Sequence, residues 1–222
     1  MARSAVVLLS GGLDSAVCLA WARREGYDAH ALTVDYGQRH AIEIERAAAL
    51  AAAIGASSHR TVTVDLSFLA GSALTDASVA VPKDRGERQI ASGIPVTYVP
   101  ARNALFLTLA LAWAESIGAR DLVVGVNAVD FSGYPDCRPE FLAAFERLAA
   151  AGTKAGASGE AWRIHAPLVA LSKAEIVRRA RSWGVPIDLT ISCYDPDPEG
   201  RPCGACDACL LRTKGMREAG EA

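Results

Sequence analysis

Short apolar runs alternate along the chain with longer stretches of helical period. SAVVLL (4–9) is an unbroken apolar run, the pattern of a strand buried on both faces. A helix over 13–25 should follow it and end at Gly26. DAHALTV (28–34) predicts a second strand, and HAIEIERAAALAAAI (40–54) a helix that stops at Gly55. SHRTVTVDL (58–66) predicts a third strand. NALFLTLALAWAESIG (103–118) is apolar enough for a well-buried helix, and DLVVGVN (121–127) reads as a fourth parallel strand. A helix near 138–151 and a short fifth strand, RIHAPL (163–168), come next. SKAEIVRRARSWG (172–184) opens with Ser172 and has Glu175 three residues on, a capping box. Two stretches break the rhythm. Residues 67–97 mix Gly, Pro, Ser and charges and read as a long excursion that could cover a site. AGTKAGASGE (151–160) reads as a flexible break. Beyond 185 lie a cysteine-rich segment and a short terminal helix, and there is no internal repeat.

Strands alternating with helices imply an α/β fold, a doubly wound, Rossmann-like parallel sheet of about five strands. The expected division is an α/β domain over 1–184 and a small C-terminal segment over 185–222. Ligands of such sheets sit beyond the carboxyl ends of the strands, where strand order reverses. That directs attention to the residues just after 9, 34 and 126.

The chain has 222 residues and 51% apolar composition, enough for a core without staples. A net charge of −2 gives no global case for nucleic acid or an anionic membrane. RRAR (178–181) is the one obvious basic run and reads as a solvated helix face. No stretch is long and apolar enough to span a bilayer, and Asp14 interrupts the first apolar run, against a secretory signal. The expected location is the cytoplasm, where the six cysteines are not a disulfide framework.

Within the first turn, LLSGGLDS (8–15) poses the sharpest chemistry. Glycines at the end of a first strand allow a tight turn and bare backbone N–H groups, and the start of the next helix adds more. Ser10 and Ser15 add hydroxyls. No lysine is present, so this is not the GxxxxGK[ST] loop. Asp14 near a phosphate makes sense with Mg²⁺ between them. The plain alternative is a strand–turn–helix in which Asp14 and Ser15 only favour the helix start. SGGLDS resembles the pyrophosphate loop of the N-type ATP pyrophosphatases (PP-loop proteins), which cleave ATP between the α- and β-phosphates.

Three further stretches fall at strand ends: DYGQRHAIE (35–43), VPARNALF (99–106) and NAVDFSGYPDCR (127–138). With SCYDPDPEGRPCGACDACLLR (192–212) they resemble the 7-cyano-7-deazaguanine synthases of queuosine biosynthesis, from about residue 5 to 216. The resemblance implies an adenine nucleotide alpha-hydrolase-like fold, and a ligase. ATP adenylates the carboxylate of 7-carboxy-7-deazaguanine, ammonia displaces AMP, and a second adenylation of the amide gives the nitrile. It implies an ATP site over Leu8, Leu9, Ser10, Gly11, Gly12, Leu13, Asp14, Ser15, Tyr36, Arg39, His40 and Lys173. Ser10, Asp14, Ser15 and Arg102 are the expected catalytic residues. The base site would use Arg102, Asn103, Asp130, Phe131, Tyr134, Asp136 and Arg138. A homodimer is implied, and neither nucleic acid nor membrane is an expected partner.

Several of these residues admit a second reading. Arg39 and His40 meet phosphate or carboxylate, or are surface charges at a helix start. Tyr36 stacks on adenine or merely packs. Asn103 serves the site or caps a helix. A carboxylate suits the paired N–H donors of a deazaguanine, and either Asp130 or Asp136 fits. Tyr134 and Phe131 are placed to sandwich the ring. Cys137 is a nucleophile or a small buried residue. Lys173 neutralises phosphate or is solvated. Cys193, Cys203, Cys206 and Cys209 have the spacing C-x₉-C-x₂-C-x₂-C, which suits a structural Zn²⁺ held by four thiolates, with an iron–sulfur cluster as the rival. The competing functions are a tRNA-modifying PP-loop ATPase, a relative that conjugates the deazaguanine, and a non-catalytic scaffold.

Overall fold

The structure, a computed structural model, describes residues 3–39, 42–90, 92–127 and 133–220. Five parallel strands form one sheet in the order β3-β2-β1-β4-β5: β1 Ser4–Leu8, β2 Asp28–Asp35, β3 Ser58–Thr63, β4 Asp121–Val123 and β5 Arg163–His165. Strand order reverses between β1 and β4, so the ends of those two strands form the switch point. The helices are α1 Leu13–Arg24, α2 Ile42–Ile54, α3 Glu87–Ile90, α4 Arg102–Ser116, α5 Pro139–Gly152, α6 Lys154–Ala157, α7 Lys173–Ser182 and α8 Asp207–Ala219.

The period of two along β1 builds two cores. Ala5, Val7 and Leu9 face α1, α2 and α7 through Leu19, Leu50 and Ile176. Val6 and Leu8 face α4 and α5 through Leu107, Leu111, Leu142 and Phe145. The sheet is therefore covered on both faces, which explains its unbroken apolar strands. The capping box on α7 is complete: Ser172 and Glu175 satisfy each other's backbone N–H groups. The basic run lies on the outer side of α7, where Arg178 donates to the Glu218 carbonyl and Arg179 lies over Trp183.

Three stretches differ from expectation. β4 ends at Val123, because the chain leaves the ladder after Val124 and Gly125–Asn127 turn inward toward α1. α4 buries one face only, through Leu107, Ala110, Leu111 and Ala114, while Thr108 and Ala112 are exposed. The expected break at 151–160 is ordered, since Thr153 caps α6 by accepting from Gly156 N and also accepts from Trp162 Nε1 at 2.9 Å. The excursion over 67–97 is pinned from both sides. Arg39 donates to the carbonyls of Ala73, Ala77 and Val79, and Leu74 joins a small core with Tyr36, Leu66 and Val99. Lys83 forms a β-bridge with Cys206, and Arg85 pairs with the buried Asp207.

Candidate active site

A cavity of about 290 Å³ opens at the switch point, over the ends of β1, β2 and β4. The SGGLDS loop forms its floor. Gly12 occupies the N-cap position of α1 without a side-chain cap, so the first N–H groups of the helix have no capping oxygen. Ser15 Oγ donates to Gly12 O and accepts from Ser10 N at 3.1 Å, and the two hydroxyls meet at 3.2 Å. The loop is thus tied to itself while its donors line the cavity, a geometry suited to an anion. Gly11 has φ +84°, and a Cβ there would lie 2.4 Å from the Glu43 carbonyl oxygen. Helix α2 is therefore seated directly on the loop. From the other side Ile191 N donates to Gly11 O at 3.0 Å.

Asp14 sits at the centre. Its Oδ2 accepts from Asn127 Nδ2 at 2.8 Å and pairs with Lys173 Nζ. The loop lacks a lysine of its own, and α7 brings one to it. Asp14 Oδ1 is buried and has no hydrogen-bond partner among the described residues. An orphaned carboxylate oxygen beside an anion cradle fits a hard divalent cation. Arg212 also borders the cavity, held by Thr190 Oγ1 at 2.8 Å, by Ser192 Oγ and by the Ile187 carbonyl.

Arg102 enters at the start of α4. It follows Ala101, whose φ of 54° places a non-glycine residue in the left-handed region, a strained conformation of the kind kept where it aims a side chain. Arg102 Nη1 donates to Tyr36 Oη at 3.4 Å, and its guanidinium lies against Tyr36 and Phe106. Burial alone would pull its pKa down, but Tyr36, Tyr134 and Tyr194 outweigh burial and keep it a permanent cation. Glu43, on the first turn of α2, borders the same cavity. Burial pushes its pKa up to about 7, against the pull of Arg102.

Leu8, Leu9, Ser10, Gly12, Leu13, Asp14, Ser15, Tyr36, Arg39, Arg102, Asn103, Tyr134, Cys137 and Lys173 all border this cavity. Tyr36 both packs on Phe106, at 5.3 Å between ring centroids, and faces the space. Asn103 is not the N-cap of α4. It lies in the first turn, donating to the Cys137 sulfur at 3.0 Å. Asp136 turns away from the cavity: its Oδ2 accepts from Asn103 N at 2.9 Å and so satisfies the start of α4. Arg138 is exposed ahead of α5 and is not on the cavity wall. His40, Asp130 and Phe131 lie outside the described residues. Sequence reasoning gave no role to Glu43, Asn127 or Arg212. The first two stand inside stretches singled out for their position at strand ends, and that position was the available signal.

The sulfurs of Cys193, Cys203, Cys206 and Cys209 lie within 4.8 Å of one another. Backbone N–H groups point at them: Asp195 and Cys203 donate to Cys193, and Tyr194 to Cys206. Burial raises the Cys193 thiol to about 11 and pushes Cys209 up as well. Buried, crowded thiols ringed by N–H donors are poorly matched to one another as neutral groups and well matched to a thiophilic metal ion.

A parallel sheet with an SGGLDS loop and a basic cavity at its switch point defines a nucleotide-binding α/β protein of the PP-loop class. The chain matches the family described as queuosine biosynthesis protein QueC over residues 4–220. It is 64% identical over 218 residues to the 7-cyano-7-deazaguanine synthase of Anaeromyxobacter sp. (strain Fw109-5), covering 98% of this chain and 93% of that one. It is 57% identical over 220 residues to the 7-cyano-7-deazaguanine synthase of Myxococcus xanthus (strain DK1622), covering 99% and 95%. The structure of NMN synthetase from Francisella tularensis aligns with a TM-score of 0.50 and 16% identity over 98% of this chain and 87% of that one, a likeness of fold alone. The chain belongs to the QueC family of queuosine biosynthesis proteins. No described helix is long and apolar enough to cross a membrane.

Proposed function

We propose that this protein converts 7-carboxy-7-deazaguanine and ammonia to 7-cyano-7-deazaguanine at the expense of two ATP. The observation that carries the reading is one cavity that joins an anion-binding loop to a mostly apolar chamber bordered by Tyr36, Phe106, Tyr134 and Arg102. A carboxylate is a poor electrophile because oxide is a poor leaving group. Adenylation turns that oxygen into part of AMP, and the protein's work is then to position the partners and offset charge.

In this reading the loop N–H groups, Ser10 and Ser15 hold the phosphates, and Lys173, Arg212 and Arg102 offset their charge. Asp14 would hold Mg²⁺ through its orphaned oxygen, and the ion would supply charge neutralisation for the phosphates. The aromatic side chains take the base in a planar slot. With Asp136 engaged at α4, Asp130 is the aspartate left to read the pyrimidine edge of the base. The four cysteines hold one structural Zn²⁺: all four ligand positions are sulfur, which leaves none for substrate. We assign 1–184 to the catalytic α/β domain and 185–222 to the metal-binding segment. We expect a homodimer acting in the cytoplasm, which sedimentation and cell fractionation test.

The deciding experiment supplies Mg-ATP, ammonium and 7-carboxy-7-deazaguanine and follows products by mass spectrometry. Nitrile with two AMP is the expected result, abolished in Asp14→Ala. AMP formed with a base that never becomes the nitrile would overturn the assignment of acceptor.

A further inference from the structure

Ammonia brings three hydrogens to this reaction, and the nitrile nitrogen carries none. When nitrogen attacks the acyl adenylate, the C–N bond forms, the C–O bond to AMP breaks with its electron pair, and one proton leaves to give the amide. The amide oxygen then takes the second adenylate, releasing pyrophosphate. As that C–O bond breaks toward AMP, two more protons leave nitrogen. A cavity that performs this chemistry needs a group that accepts protons beside the reacting carbon.

We infer that Glu43 is that proton acceptor, an inference that rests on the functional reading above. Three observations place it. The first turn of α2 presses on the loop, with the Glu43 carbonyl against Gly11. Glu43 borders the cavity together with Tyr36 and Arg102, which contact each other there through Arg102 Nη1 and Tyr36 Oη at 3.4 Å. Among the described residues no hydrogen bond or ion pair holds its carboxylate. The other carboxylate that borders the cavity among the described residues, Asp14, is engaged by Lys173 and Asn127. Among the described residues, the titratable and charged groups that face Glu43 are thus Tyr36, just after β2, and Arg102 from α4. Burial raises its affinity for a proton and Arg102 opposes this, leaving a group that both takes and releases protons near neutrality.

The test compares wild type, Glu43→Gln and Glu43→Asp in two assays. The first is ATP–pyrophosphate exchange that depends on 7-carboxy-7-deazaguanine, without ammonium, where no nitrogen loses a proton. The second is amide and nitrile formation with ammonium. Glu43→Gln should keep the exchange, with the same KM for the base, and lose roughly 10²–10⁴-fold in nitrile formation. The acid limb of the wild-type pH profile should vanish with it, and Glu43→Asp should recover part of the rate. Exchange that falls in parallel, or a raised KM for the base, would overturn the inference and make Glu43 a binding residue. Unimpaired nitrile formation by Glu43→Gln would overturn it too. Wild-type enzyme without any base-dependent exchange would defeat the functional reading itself, and the inference with it.

Discussion

Gly11→Ala tests the seating of α2 on the phosphate loop. Two penalties combine there. A left-handed φ of +84° costs an alanine about 1–2 kcal/mol. The new Cβ would lie 2.4 Å from the Glu43 carbonyl oxygen and 3.2 Å from Ala47 N, so backbone must move against backbone. Overpacking of that kind adds about 1–3 kcal/mol. The sum, about 3 kcal/mol, corresponds to a fall in Tm of roughly 6–12 °C for a chain of this size. Gly26→Ala is the internal control, because Gly26 has φ +80° with nothing within 4 Å of the built Cβ. It carries the dihedral penalty alone, about 1–2 kcal/mol. Thermal melts of both variants, together with ATP–pyrophosphate exchange, give the answer. Gly11→Ala should be the less stable of the pair, and only it should lose exchange. If the two melt together and Gly11→Ala retains full exchange, α2 does not rest on the loop and Glu43 is not held at the cavity.

Glu43 also makes stability depend on pH. Its folded pKa, about 7, lies above the ordinary 4.5, so the folded state binds the extra proton between those values. Stability from this group is complete below pH 4.5 and is lost as pH rises to about 7. Glu43→Gln should therefore be more stable than wild type above neutrality, by at most about 3 kcal/mol, and indistinguishable from it near pH 4.5, as read by urea melts. Lys173→Met removes the cation paired with Asp14 and should lower adenylation by roughly 10²–10³-fold, measured as exchange at saturating ATP. Arg85→Ala strands the buried Asp207 and should cost about 3 kcal/mol, with proteolysis of the 67–97 excursion accelerated. Chelation, or Cys206→Ser, should remove one metal equivalent and loosen the same excursion, because Lys83 bridges to Cys206.

Local chemistry was legible in the sequence where neighbours along the chain act together. The SGGLDS loop, the Ser172–Glu175 capping box and the cysteine spacing each specify their geometry within a few residues. The parallel sheet of five strands followed from the alternation of elements, though not the order of its strands. What stayed hidden depends on partners far apart. Asn127 and Lys173 reach Asp14 from 113 and 159 positions away, so neither could be assigned to it from spacing. Nor does the sequence show that Asp136 Oδ2 accepts from Asn103 N at the start of α4, 33 positions away. The small residues of 151–160 suggested freedom, yet Thr153 and Trp162 lock that turn by a contact no composition shows.

The bond from Ile191 N to Gly11 O has a consequence for how the molecule comes into being. The phosphate loop leaves the ribosome well before Ile191 and Arg212. Sheet and helices can collapse around β1 early, yet the loop gains its buttress, and the cavity the Arg212 cation, only once those residues have been made. A nascent chain that stops short of Ile191 thus carries the phosphate loop without the bond that braces it.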